Sequence, residues 1–132
     1  MIKEYKKPYK MNDCKFVAEQ MQDFVSDDRE FFVVFYMDSQ VRTFKREIIH
    51  IGGLNSSIVD PRSLFKRALL NSASSIIISH THPSGHLEPS EEDRYVTKKI
   101  QEAGEILQIK LLDHVIVSKG GEYSFNQHNW ID

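Results

Sequence analysis

Ser75-Ile76-Ile77-Ile78-Ser79 sets three β-branched apolar residues side by side. Neighbours in a strand point to opposite faces, so this run needs apolar cover on both sides of a sheet. In a chain of 132 residues that cover comes from helices packed on the sheet, which indicates an α/β domain. The flanking segments agree. Asp60-Pro61 is a helix start, a capping carboxylate followed by proline at the first helical position. The helix it opens runs to about Asn71 and buries Leu64, Phe65, Ala68 and Leu69. Ser90 caps another helix, with Asp93 three residues on as in a capping box. Val96, Ile100, Ala103 and Leu107 follow at helical spacing.

Elsewhere, Asn12 or Asp13 caps a helix over 13–27, with Phe16, Val17, Met21, Phe24 and Val25 on one side. Glu30–Met37 reads as a buried strand, and Val41–Ile51 as its partner across the turn at 38–40. Gly52-Gly53 ends that strand, and 54–60 is a loop, as is 80–89. Ile109–Leu112 and Val115–Ser118 read as two strands. Gly120-Gly121 turns into a last one, Tyr123–Phe125. Residues 1–11 read as a polar arm and 12–132 as one domain. The expected fold is α/β, a mixed β-sheet flanked by helices and parallel in part.

Apolar residues make up 40% of the chain and charged residues 27%, which is a globular balance. The net charge of −2 argues against direct nucleic-acid binding, which leans on clustered Lys and Arg. The single cysteine, Cys14, excludes an internal disulfide and a cysteine-rich zinc finger, and fits a reducing compartment. MIKEYKKPYK lacks the apolar run of a signal peptide, and no stretch reaches the roughly 20 apolar residues of a membrane span. The expectation is a cytoplasmic protein without membrane contact. A homodimer is compatible with the sequence.

Chemistry concentrates in His80-Thr81-His82-Pro83-Ser84-Gly85 and Pro89-Ser90-Glu91-Glu92-Asp93. These follow the isoleucine strand, where open α/β sheets place ligands. Two histidines two apart on a strand end point the same way. Asp93 lies 11 residues beyond His82, in the first turn of the next helix, and a loop of that length can return its carboxylate to both imidazoles. Two His and one carboxylate make a three-ligand Zn²⁺ set whose fourth position is open to water. A His-x-His pair also occurs without a metal, and Asp93 also suits a helix N-terminus. Spacing alone leaves both readings open.

His80-x-His82-Pro83, then Ser90-x-x-Asp93, resembles the metal motif of the JAB/MPN (JAMM) metalloprotease superfamily: His-x-His, seven residues, Ser, two residues, Asp. The wider sequence is similar to its RadC-like branch, the DNA repair protein RadC family. The matching pieces are Arg29–Phe35, Gly53-Leu54-Asn55, Asp60-Pro61-Arg62, Phe65–Leu69, His80–Gly85, Pro89–Asp93, Leu112–Val117 and Tyr123-Ser124-Phe125. The resemblance spans about residues 12–126. It implies a single JAB/MPN-like domain of cytidine-deaminase-like architecture that acts as a zinc-dependent peptidase or isopeptidase. His80, His82 and Asp93 would be the metal ligands. Glu30, just before Phe31–Phe35, would be the general base that takes a proton from the activated water and delivers it to the leaving amine. Ser90 would donate a hydrogen bond to the oxyanion. Zn²⁺ is the expected cofactor, and a protein or peptide the expected substrate.

Without the resemblance, Glu30 reads as a solvated acid at a strand start and Ser90 as a helix cap. Glu47 is the nearest competing base but sits in mid-strand. His114 reads as structural, or as a partner directly behind a metal ligand. His50, His86 and His128 read as surface residues, and Ser84 and Gly85 as turn formers. The sequence departs from the RadC-like pattern at Thr81, where Asn is usual, at Asp60, where His is frequent, and at Ser63, where an acid is frequent. Longer family members add a helix-hairpin-helix DNA-binding module, which is not expected within this sequence. The alternative function is a non-catalytic or weakly catalytic metal-binding module serving DNA repair or mobile-element maintenance. A zinc nucleobase deaminase is excluded because it needs Pro-Cys-x-x-Cys, and a metallohydrolase barrel because it needs a longer chain.

Overall fold

The computed structural model describes residues 2–9, 13–52 and 59–131. In chain order the elements are β1 (Ile2–Tyr9), α1 (Cys14–Gln20), α2 (Gln22–Val25), β2 (Phe31–Met37), β3 (Thr43–Ile51), α3 (Pro61–Leu70), β4 (Ser75–Thr81), α4 (Glu91–Leu107), β5 (Lys110–Ser118) and β6 (Gly121–Ser124). One six-stranded sheet runs β1-β3-β2-β4-β5-β6. Among the described residues only β4 and β5 pair in parallel; the other four pairings are antiparallel. The parallel pair needs a crossover, and α4 supplies it. The α/β class and mixed, helix-flanked sheet expected from the sequence are what the chain adopts.

The isoleucine run behaves as its composition requires. Ile76 and Ile78 face one core with Phe32, Val34, Tyr36 and Ile116, beneath Leu64, Phe65 and Ala68 of α3 and Val96 and Ile100 of α4. Ile77 faces the other core with Val33, Phe35, Val115 and Val117, beneath Phe16, Val17, Met21 and Phe24 of the α1–α2 segment. All three isoleucines are fully buried, each worth about 1.5–3 kcal/mol over exposure. α4 can return onto β5 closely because residue 104 is glycine; a Cβ there would lie 2.4 Å from the Ile109 carbonyl oxygen.

Several expectations are corrected. Residues Ile2–Tyr9, expected within a polar arm, are a strand: β1 pairs with β3, and Tyr5 donates to Gln20 Oε1 at 3.1 Å. Polar composition hid it because an edge strand can carry charged side chains. The helix expected over 13–27 breaks at Met21 into α1 and α2, with Asp13 as its cap. The two strands expected at Ile109–Leu112 and Val115–Ser118 are one, β5, which begins at Lys110. Asp113 and His114, which suggested a break, are buried within it. The Asp113 carboxylate is satisfied by the His114 and Asn126 N–H groups and the Ser124 hydroxyl. β4 continues through Thr81, so His80 belongs to the ladder rather than to a loop. Leu69 and Leu107 are exposed. Gly53-Leu54-Asn55 and Asn12 lie outside the described residues. Among the described residues, no helix is long and apolar enough to cross a membrane.

Candidate metal centre

The sheet carries His80 to the carboxyl end of β4. His80 pairs with Phe32 of β2 and with Ile116 of β5. His82 follows the last strand residue, held by its N–H to the Val117 carbonyl at 3.0 Å. Asp93 comes from the first turn of α4, aimed by a capping box. The Ser90 N–H donates to Asp93 Oδ2 at 2.8 Å, and the Asp93 N–H donates to Ser90 Oγ at 3.1 Å. The capping function expected of Ser90 is therefore present, and the same pair of bonds fixes the Asp93 carboxylate.

The three side chains converge. His80 Nε2 lies 2.8 Å from His82 Nε2 and 3.2 Å from Asp93 Oδ1, and His82 Nε2 lies 3.4 Å from Asp93 Oδ2. One ligand atom from each falls within 4.8 Å of the others, a grouping that could hold a metal ion. Ligand atoms around a tetrahedral zinc with bonds of about 2.0–2.1 Å stand roughly 3.3 Å apart, so the observed spacing fits. The donor chemistry fits as well. His82 Nδ1 lies 2.9 Å from the His86 carbonyl, which only accepts, so that nitrogen carries the proton and Nε2 faces the cluster.

The cluster is electrostatically tuned. Burial disfavours charge on His82, but the Asp93 hydrogen bond, the His86 carbonyl and the nearby Asp93 and Glu30 carboxylates outweigh it and raise its pKa. Burial likewise opposes charge on Asp93, yet bonds from His80, His82 and the Ser90 N–H hold its carboxyl well below the usual range. Full burial drives the His114 pKa well down, so its ring is neutral.

Glu30 immediately precedes β2 and is half-buried. Its backbone is pinned on both sides: its carbonyl accepts the Gly52 N–H at 2.8 Å, and the next N–H, of Phe31, donates to Thr81 Oγ1 at 3.0 Å. Extending the Phe32–His80 register by two residues puts Glu30 opposite His82. Opposite residues of an antiparallel pair share a face. Glu47 is elsewhere. It is buried in mid-strand, accepting from the Tyr36 hydroxyl at 2.6 Å and from Arg67 at 2.8 Å.

His114 is fully buried, stacked on Phe125 with ring centroids 4.4 Å apart. Its Nε2 is 2.7 Å from His80 Nδ1, and its Nδ1 is 2.5 Å from Thr97 Oγ1. Sequence reasoning passed over Thr97. The signal was its place four residues after Asp93, on the same helix face. His86 and His128 are exposed and His50 is half-buried. Asp60 caps α3, its carboxylate accepting the Arg62 N–H at 2.9 Å.

The profile of the RadC-like JAB domain matches residues 10–130. The chain belongs to that family. The match begins where β1 ends. The RadC-like domain is 45% identical over 102 residues to a UPF0758 protein of Haemophilus influenzae, covering 77% of this chain and 46% of that one. It is 43% identical over 121 residues to a UPF0758 protein of Chlorobium phaeovibrioides, covering 91% and 54%. With a UPF0758 protein of Methanosarcina acetivorans it shares 44% over 103 residues, covering 78% and 45%. The chain spans about half the length of these relatives.

Proposed function

We propose that this RadC-like domain is a zinc-dependent hydrolase of amide bonds in a peptide or isopeptide substrate. The observation that carries the reading is the convergence of His80, His82 and Asp93 within 4.8 Å, with the Glu30 carboxylate close enough to raise the His82 pKa. His80, His82 and Asp93 would hold the ion. When bound, it supplies a Lewis acid and acidifies a coordinated water to a pKa near 7. Glu30 takes the proton of the attacking water and returns it to the leaving amine. The Ser90 oxygen already accepts the Asp93 N–H, so its O–H is the group that donates to the oxyanion. The lone, buried Cys14 fits a reducing compartment, and we place the reaction in the cytoplasm.

The test uses zinc-loaded protein with a panel of quenched-fluorescence peptides and an isopeptide-linked lysine substrate. Cleavage by wild type, abolished in Glu30→Gln with zinc content unchanged, is expected. Cleavage equal in wild type and Glu30→Gln would refute the assignment, and so would a zinc-loaded wild type inert towards the whole panel.

A further inference from the structure

Thr97 and His114 are neither metal ligands nor proton carriers in the proposed reaction, yet they form one directional chain behind the site. The Thr97 hydroxyl lies 2.6 Å from the Asp93 carbonyl oxygen. A carbonyl only accepts, and a hydroxyl has one proton to give. Thr97 Oγ1 is therefore the acceptor in its 2.5 Å contact with His114 Nδ1, so His114 carries its proton on Nδ1. This ring is fully buried, and burial with the facing His80 outweighs the Asp93 carboxylate in opposing a second proton there. His114 Nε2 is thus a bare acceptor, 2.7 Å from His80 Nδ1. That bond requires the proton on His80 Nδ1 and turns His80 Nε2 toward Asp93 and His82.

We propose that Thr97 and His114 are positioning residues that lock His80 in the Nδ1–H tautomer, the neutral form whose Nε2 can bind a cation at this site. The proposal rests on the metal-centre reading above and adds the device that prepares the site. The chain starts at the backbone of one ligand, Asp93, and ends on the ring of another, His80, so it also ties α4 to β4 through β5. His82 is oriented separately, with Nδ1 turned outward to the His86 carbonyl. Both rings then turn Nε2 toward one point, 2.8 Å apart and beside the Asp93 carboxylate. A histidine that merely fills the core would need no particular tautomer.

The experiment reads ring tautomers by long-range ¹H–¹⁵N correlation in metal-free and zinc-loaded wild type, and zinc affinity by chelator competition. His114 protonated on Nδ1 in both states, with zinc-loaded His80 also protonated on Nδ1, is expected. His114 protonated on Nε2 would overturn the proposal. Thr97→Val should bind zinc about 10–100-fold more weakly, the usual cost of losing an outer-sphere partner, while Thr97→Ser stays near wild type. Affinity unchanged in Thr97→Val would also overturn it. If wild type takes up no zinc, the hydrolase reading fails, and the His114 tautomer in metal-free protein still decides the lock. If Thr97→Val does not fold, the wild-type tautomers decide alone.

Discussion

The Thr81 hydroxyl, buried between strands, accepts the backbone N–H of Phe31 at 3.0 Å. Phe31 directly follows Glu30, and Thr81 lies between His80 and His82. The bond therefore ties the start of β2 to the end of β4 at the point where the proposed base must meet the metal ligands. It gives a local purpose to the threonine that stands where asparagine is usual in RadC-like sequences.

Thr81→Val keeps the side-chain shape and removes the acceptor, leaving the Phe31 N–H unpaired inside the protein. A loss of about 1–3 kcal/mol in urea unfolding is expected. Zinc content should stay at the wild-type level, because Thr81 contributes no ligand. Turnover should fall as the Glu30 backbone loosens, and Thr81→Ser should restore both stability and rate.

Glu30 and Glu47 are separated by paired substitutions. Glu30→Gln is expected to lower kcat by about 10²–10⁴-fold, the range for a lost general base, with little effect on the denaturation midpoint. Glu47→Gln weakens the bonds from Tyr36 and Arg67 and should reduce stability by about 1–3 kcal/mol while leaving zinc binding intact. Steady-state kinetics and unfolding curves on both variants check the split.

Ser90→Ala removes one hydroxyl with two duties. The lost cap should cost about 0.5–2 kcal/mol of stability. The lost oxyanion donor should cost about 10²–10³-fold in kcat. A variant that loses only the stability would assign Ser90 to the helix end alone.

Acidity should act on the centre in a defined direction. The His82 pKa is raised above its ordinary 6.5, so in metal-free protein its stabilising contribution is complete below 6.5 and lost as pH rises through the folded value. The Asp93 pKa is depressed below 3.8, so its contribution is present above 3.8 and lost as pH falls through the folded value. The melting temperature of chelated wild type should therefore exceed that of His82→Gln most near about pH 5, with the gap closing above 6.5. Zinc must displace the His82 proton, so zinc affinity should start to fall at a higher pH than an unperturbed imidazole would impose.

Most of the architecture is legible in residue order. Three adjacent isoleucines require cover on both faces, Asp60-Pro61 and Ser90 mark helix starts, and these fix the crossover that carries Asp93 back to His80. The ligand trio is legible in part: a strand period of two and a capping position bring His80, His82 and Asp93 within reach of one another, and only the RadC-like resemblance separates that from a plain helix cap. What stayed hidden depends on pairing rather than pattern. β1 is polar because it is an edge. Asp113 and His114 look like a strand break until their partners, Ser124, Asn126 and Thr97, are known. Thr97 shares a face of α4 with Asp93, but its part in the site comes from His114, which lies in β5.

Zinc content, measured by inductively coupled plasma mass spectrometry on protein purified without chelators, probes the centre most directly. About one zinc per chain is expected for wild type, and essentially none for His82→Ala or Asp93→Ala folded to the same extent. A wild-type protein that stays metal-free when dialysed against micromolar zinc, or variants that retain the ion, would contradict a shared cation at His80, His82 and Asp93.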